Sequence, residues 1–294
     1  MDRTRQRALG EQLLALHHAQ RPLILVNVWD VASALIVQRS GFPAIATSSS
    51  AVSSALGYPD GEQIPASTML AAVARITAAV SVPVTADLEA GYAHDIGGLA
   101  ETARDLLETG AVGLNLEDGI DPETGSLRAA DRAADRVRAV REVARDLGTP
   151  LVINARTDVF LEAGAAPEAN LSDAITRLSA YRDAGADCLF PIGVRDPHAI
   201  RQLTSELHHP VNILAGPGAP TVGELGELGV ARISLGGGPQ RAALATLSAV
   251  SAEVRDHGTY GALQDMLTHR ELEDLLSAAV RREAQAESQR QPGR

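Results

Sequence analysis

No lysine occurs anywhere in the 294 residues; all 26 basic side chains are arginine. A guanidinium stays protonated, so Schiff-base aldolase chemistry, pyridoxal phosphate anchoring and the P-loop, each of which needs a lysine amine, are excluded. Cysteine is almost as scarce, with Cys188 alone, which rules out an internal disulfide framework and multi-cysteine zinc or iron-sulfur sites. No apolar run approaches the roughly 18 residues of a membrane span. The N-terminus, MDRTRQRALGEQLL, carries charges where a signal peptide needs an apolar core. A formal net charge of -11 argues against a nucleic-acid or anionic membrane partner. The expectation is a cytoplasmic protein that acts on a small molecule.

Hydrophobic residues make up 45% of the chain, enough for a sizeable core. Strand-like apolar runs recur at 23–28, 44–48, 82–87, 112–117, 151–155, 187–190, 211–214 and 231–235, with Ala-, Leu-, Arg- and Glu-rich helical segments between them. Several helices end in the same signal, RSGFP, ETGAV, DAGAD and ELGVA, a glycine stop that runs directly into a strand. Continuous apolar strands alternating with helices imply a parallel sheet with a covered outer face. Eight such units predict an α/β fold, a (β/α)8 TIM barrel over 1–255. An additional C-terminal helical extension over 256–287 either lies on its own barrel or packs on a neighbouring subunit, and 288–294 is expected to be a disordered tail.

In such a barrel the chemistry sits at the C-terminal strand ends. Those ends are polar here. Trp29 and Asp30 follow the first run, Thr47 to Ser50 the second, Asp87 and Glu89 the third, Glu117 and Asp118 the fourth, and Arg156 to Asp158 the fifth. Strand alternation would put Asp87 and Glu89 on one face, and paired carboxylates call for a cation or a bound proton between them. The same pattern also fits a strand end followed by a solvated loop. Carboxylates from several strands, without clustered histidine or cysteine, form the hard oxygen set that holds Mg2+ or Mn2+. Arg156 either clamps a substrate carboxylate or pairs with Asp158 or Glu117. The GGGPQRAAL turn reads as a tight turn or, alternatively, as a phosphate cradle.

Taken together, LGYPD ending at Asp60, the D-x-E-x-G-Y turn from Asp87 to Tyr92, LED at Glu117 and Asp118, and ART around Arg156 resemble the isocitrate lyase and phosphoenolpyruvate mutase superfamily. The resemblance runs from about Leu23 to Ser251. It implies that Asp87 binds Mg2+ (or Mn2+) directly, with Asp60, Glu89 and Glu117 holding its waters. It also implies that Ser48 and Ser49, with Trp29 beside them, contact the substrate and that Arg156 binds its anionic part. The implied chemistry is cleavage beside a 2-oxo or enolate carbon of a small carboxylate, in a homodimer or homotetramer. The superfamily's lyases carry a K-[KR]-C-G-H loop with a proton-donating cysteine, where this chain reads GIDPETGSLR. Tyr92, His94 or a metal-bound water are the candidates for that acid, and Arg156, Tyr92 and Glu117 are the catalytic candidates. Mutase or phosphonopyruvate hydrolase chemistry, and a catalytically silent metabolite-binding barrel, are the rival readings.

Overall fold

The computed structural model describes residues 2–121, 123–161 and 167–277. The first half of the chain runs α1 (Arg3–Leu16), β1 (Leu23–Leu25), β2 (Asn27–Val28), α2 (Val31–Arg39), β3 (Ile45–Thr47), α3 (Ser49–Ala55), α4 (Ala66–Ala79), β4 (Val84–Asp87), α5 (Ile96–Thr109) and β5 (Gly113–Glu117). It continues α6 (Ala130–Asp146), β6 (Val152–Thr157), α7 (Pro167–Asp183), β7 (Cys188–Pro191), α8 (Pro197–Leu207), β8 (Asn212–Leu214), α9 (Val222–Glu227), β9 (Arg232–Ser234) and α10 (Gly238–His257).

Every strand pairing is parallel. The run at 23–28 is one stave broken at Val26: β1 pairs with β9 and β2 with β3, so this segment closes the ring. A parallel bridge between Leu189 and Val211 joins β7 to the stave of β8. The result is the expected α/β barrel of eight staves, wrapped by helices. The strands are buried on both faces, as the four buried residues of β4 illustrate, which explains their continuous rather than alternating apolar sequence.

Helix α1 closes the N-terminal end of the barrel. Leu9 and Leu13 pack with Leu23, Leu25, Ala44, Ala46, Val112 and Val152. A side chain of Leu13's size, fully buried, stabilises by about 1.5–3 kcal/mol. The helix lies so close that a Cβ on Gly10 would stand 2.5 Å from the Pro150 carbonyl oxygen, which explains a glycine in mid-helix.

At the other end of the chain, a second helical stretch over residues 269–277 follows α10. It lays Leu272, Leu275 and Leu276 on a cluster that includes Leu35 of α2 and Ile76 of α4, so it packs on its own barrel. Residues 278–287 of the expected 256–287 extension and the 288–294 tail fall outside the described residues. Among the described residues no helix is long and apolar enough to cross a membrane.

Candidate active site

Asp87 ends β4, and both of its oxygens are held. Oδ2 accepts hydrogen bonds from the Ser49 backbone N–H (3.0 Å) and hydroxyl (2.9 Å), and Oδ1 accepts from Asn115 Nδ2 (3.2 Å). Its own N–H donates to Thr47 Oγ1 at 3.0 Å. Its neighbours on either side, the β3–α3 junction and β5, therefore fix the carboxylate, and Oδ1, with a single donor, keeps acceptor capacity for a further partner.

Glu89 reaches the same place by a different route from the one strand alternation predicts. Strand β4 stops at Asp87, and Glu89 takes a left-handed backbone with φ 51, as do Glu62 (φ 56) and Tyr92 (φ 54). Such a conformation costs a non-glycine residue about 1–3 kcal/mol and persists where surrounding bonds determine it. Those bonds are present: Glu62 N–H donates to Glu89 Oε2 (2.8 Å), Tyr92 N–H to Glu62 Oε1 (2.7 Å) and the Tyr92 hydroxyl to Glu89 Oε1 (3.1 Å). Asp60 joins through its Oδ1, 3.4 Å from the Ser49 hydroxyl.

On the next two staves Glu117 stands beside Arg156 in register. Arg156 Nε and Nη2 donate to Asp158 at 2.6 and 2.8 Å, while Nη1 lies 2.5 Å from Glu117 Oε2. That approach is out of line for a hydrogen bond, so the buried Oε2 has a charge partner and no donor. The guanidinium is thus already engaged by both carboxylates that the sequence offered it.

The electrostatics reflect this crowding. Burial, then Asp60 and Asp87, push the Glu89 carboxyl up to about 7. Burial raises Glu117 well above the carboxylate range, against the pull of Arg156 and reinforced by Asp158, Asp87 and Glu89. Burial and the charge of Glu89 raise the Tyr92 phenol, which keeps its proton at any physiological pH. For Arg156, burial opposes the charge, but Glu117 and Asp158 outweigh it and hold the side chain as a cation.

Ser48 is buried, with its hydroxyl 3.0 Å from that of Ser50, and Trp29 is half-buried against the main core. Other strand-end residues belong elsewhere. Asp30 caps α2 through Ser33. The glycine triplet is a tight turn, pinned by Asn27 Oδ1, which accepts from the N–H groups of Leu235 (2.9 Å) and Gly236 (2.8 Å). Cys188 is fully buried, and burial pushes its thiol up to about 12. His94 is exposed and lines an outer cavity of about 270 Å3 with Arg128, Arg132 and Arg136.

Two participants lay outside the sequence reading, Glu62 and Asn115. The signal for Glu62 was its place two residues after Asp60; for Asn115, its place two residues before Glu117 on the same face of a strand.

A divalent cation fits the donor chemistry of this mouth, since mutually repelling carboxylates with raised proton affinity are what a cation relieves. Among the described residues, no three His, Cys, Asp or Glu side chains are grouped to hold an ion jointly.

The family model described as phosphoenolpyruvate phosphomutase matches residues 13–255. A candidate phosphonomutase from Burkholderia cenocepacia J2315, known from its crystal structure, is 43% identical, with a TM-score of 0.80 over 84% of this chain and 99% of its own. The 2-methylisocitrate lyase of Escherichia coli K12 is 30% identical, covering 69% of this chain and 68% of its own length. The phosphoenolpyruvate phosphomutase of Streptomyces hygroscopicus is also 30% identical, covering 88% and 85%.

Proposed function

The chain belongs to the isocitrate lyase and phosphoenolpyruvate mutase superfamily, and from that premise we propose that it is an enzyme using Mg2+ or Mn2+ to cleave a carbon–carbon bond in a small 2-oxo or 2-hydroxy di- or tricarboxylate. The superfamily's chemistry concerns carbon–carbon or carbon–phosphorus bonds in small carboxylates. The observation that carries the proposal is Asp87, held on both oxygens and ringed by Asp60, Glu89 and Glu117. In this reading Asp87 binds the ion directly and the other three hold its waters. When bound, the ion supplies Lewis-acid stabilisation of the developing enolate oxygen.

The chain's own residues do the rest. Ser48 and Ser49 contact the substrate's carboxylate or enolate oxygen, with Trp29 beside them. Arg156, kept cationic by Glu117 and Asp158, orients the anionic end of the substrate. Tyr92, whose hydroxyl donates to Glu89 Oε1 at 3.1 Å, is the candidate acid where the lyases use a loop cysteine. Association into a homodimer or homotetramer remains part of the proposal.

Carbon–phosphorus chemistry is the second reading, favoured by the match to phosphoenolpyruvate phosphomutase. Incubation with Mg2+ and separate oxaloacetate, 2-methylisocitrate-like acids and phosphonopyruvate, followed by NMR of the products, separates the two. Consumption of a di- or tricarboxylate supports the lyase. Turnover of phosphonopyruvate alone would replace it with the second reading, and no product with any acid or metal would leave a binding protein.

A further inference from the structure

The barrel interior beneath Asp87 holds a charge that none of the above uses. Arg232, on β9, is the largest fully buried side chain. Strand β9 stands opposite β5 in the ring of eight staves, so the guanidinium crosses the barrel's diameter. Nη2 donates to Asn115 Oδ1 at 3.1 Å, and Nη1 lies 3.5 Å from His17 Nε2 at the end of α1. His17 Nδ1 faces the Leu13 carbonyl at 2.8 Å and so carries the ring proton, leaving Nε2 to accept. Nε has no partner, and among the described residues no carboxylate accepts from this arginine.

A buried cation without a carboxylate is costly, and an apolar side chain of similar volume would serve packing as well or better. The hydrogen bonds show what the charge does instead. Asn115 Oδ1 receives two donors, Arg232 and Asn154 Nδ2 (2.8 Å), which forces its amide nitrogen toward Asp87 Oδ1 at 3.2 Å. Arg232 and Asp87 thus form an ion pair bridged by one carboxamide.

We infer that Arg232 is a positioning residue for the acidic mouth: through Asn115 it fixes the Asp87 carboxylate and supplies, from inside the barrel, the positive charge that holds Asp87 ready for a divalent cation. The inference rests on the metal-dependent reading above and adds a residue to it. It assigns the polar floor of the barrel to function rather than to stability.

The test compares the wild-type chain with Arg232→Met by Mn2+ titration, reading free Mn2+ by EPR, together with Tm and a crystal structure of the variant. The expected result is a Tm equal to or above wild type, at least a ~10-fold loss of Mn2+ affinity, the size seen when an outer partner of a ligand is removed, and an Asp87 carboxylate turned away from Ser49. Arg232→Lys keeps the charge and should recover part of the affinity. Should Arg232→Met fail to fold, Asn115→Ser removes the bridge with Arg232 in place and carries the same expectation. Wild-type affinity in the folded variant, or a lowered Tm with affinity intact, overturns the inference. If the wild-type chain itself takes up no Mn2+, the metal reading falls separately. The crystal structure then decides alone, and an unmoved Asp87 overturns the inference.

Discussion

Glu117 and Asp118 are adjacent in sequence, yet they belong to two regions of opposite character. Asp118 faces the seam between the barrel and α7, where it accepts from Thr157 Oγ1 (2.7 Å), Tyr181 hydroxyl (2.9 Å) and Asp158 N–H (3.0 Å), with Arg177 Nη1 at 3.4 Å. Glu117 faces the mouth, where Arg156 is its one charge partner, the buried Oε2 has no aligned donor, and three further carboxylates bear on its charge. A buried carboxylate with every acceptor filled holds structure together. One left under-satisfied among like charges is poised for a partner from outside.

The contrast breaks most visibly at Asp118. Asp118→Ala strands a mostly buried Arg177 and three donors, and should cost about 3–5 kcal/mol, read as a fall in Tm of roughly 10 °C. A loss under about 1 kcal/mol would show that the seam is no more structural than the mouth.

The barrel floor gives the next largest effect. Burial, assisted by Arg232, lowers His17 from 6.5 in the unfolded chain to about 3 in the fold. Only the unfolded chain takes up that proton between these values. Stability is therefore untouched above pH 6.5 and falls as pH drops from about 6.5 toward about 3, by up to ~1.4 kcal/mol per pH unit. Denaturant melts of His17→Asn across that range should show a flatter pH dependence than the parent. Parallel curves would mean that His17 is not buried neutral.

Glu117→Gln sharpens the contrast from the other side. It replaces the charge with an amide of the same shape while Arg156 keeps its two bonds to Asp158, so stability should shift by less than about 1 kcal/mol, in either direction, while turnover of any substrate falls. Destabilisation on the scale of Asp118→Ala would erase the distinction. Smallest in stability is Tyr92→Phe, which forfeits one hydrogen bond worth ~0.5–1.5 kcal/mol. Its expected signature is a kcat loss with KM preserved; unchanged kcat would remove Tyr92 from the role of acid.

The barrel was legible because the αβ junctions and buried strands are local signals, each written within a few residues. The mouth was legible in its members but not in its geometry. Asp87 and Glu89 lie close enough to bear on the charge of Glu117, but Glu89 arrives through a left-handed turn stabilised by Glu62, a contact 27 residues away that no local pattern encodes. Arg232 was hidden for the same reason. Within ARISL it looks like an interruption of a strand, and only the closure of the ring carries it to Asn115, 117 positions earlier. Asp118 shares a strand end with Glu117 in the sequence; its partners Arg177 and Tyr181 come from α7, beyond the reach of strand periodicity.

The central claim is that the mouth is built to receive a divalent cation together with a small carboxylate. A thermal-shift measurement with oxalate, a planar mimic of an enolate, tests it most directly on the wild-type chain and Asp87→Ala, with and without Mg2+ or Mn2+. The account predicts that oxalate raises Tm only when the metal is present and only in the wild-type chain. An equal shift in both proteins, or no shift under any metal, would contradict it.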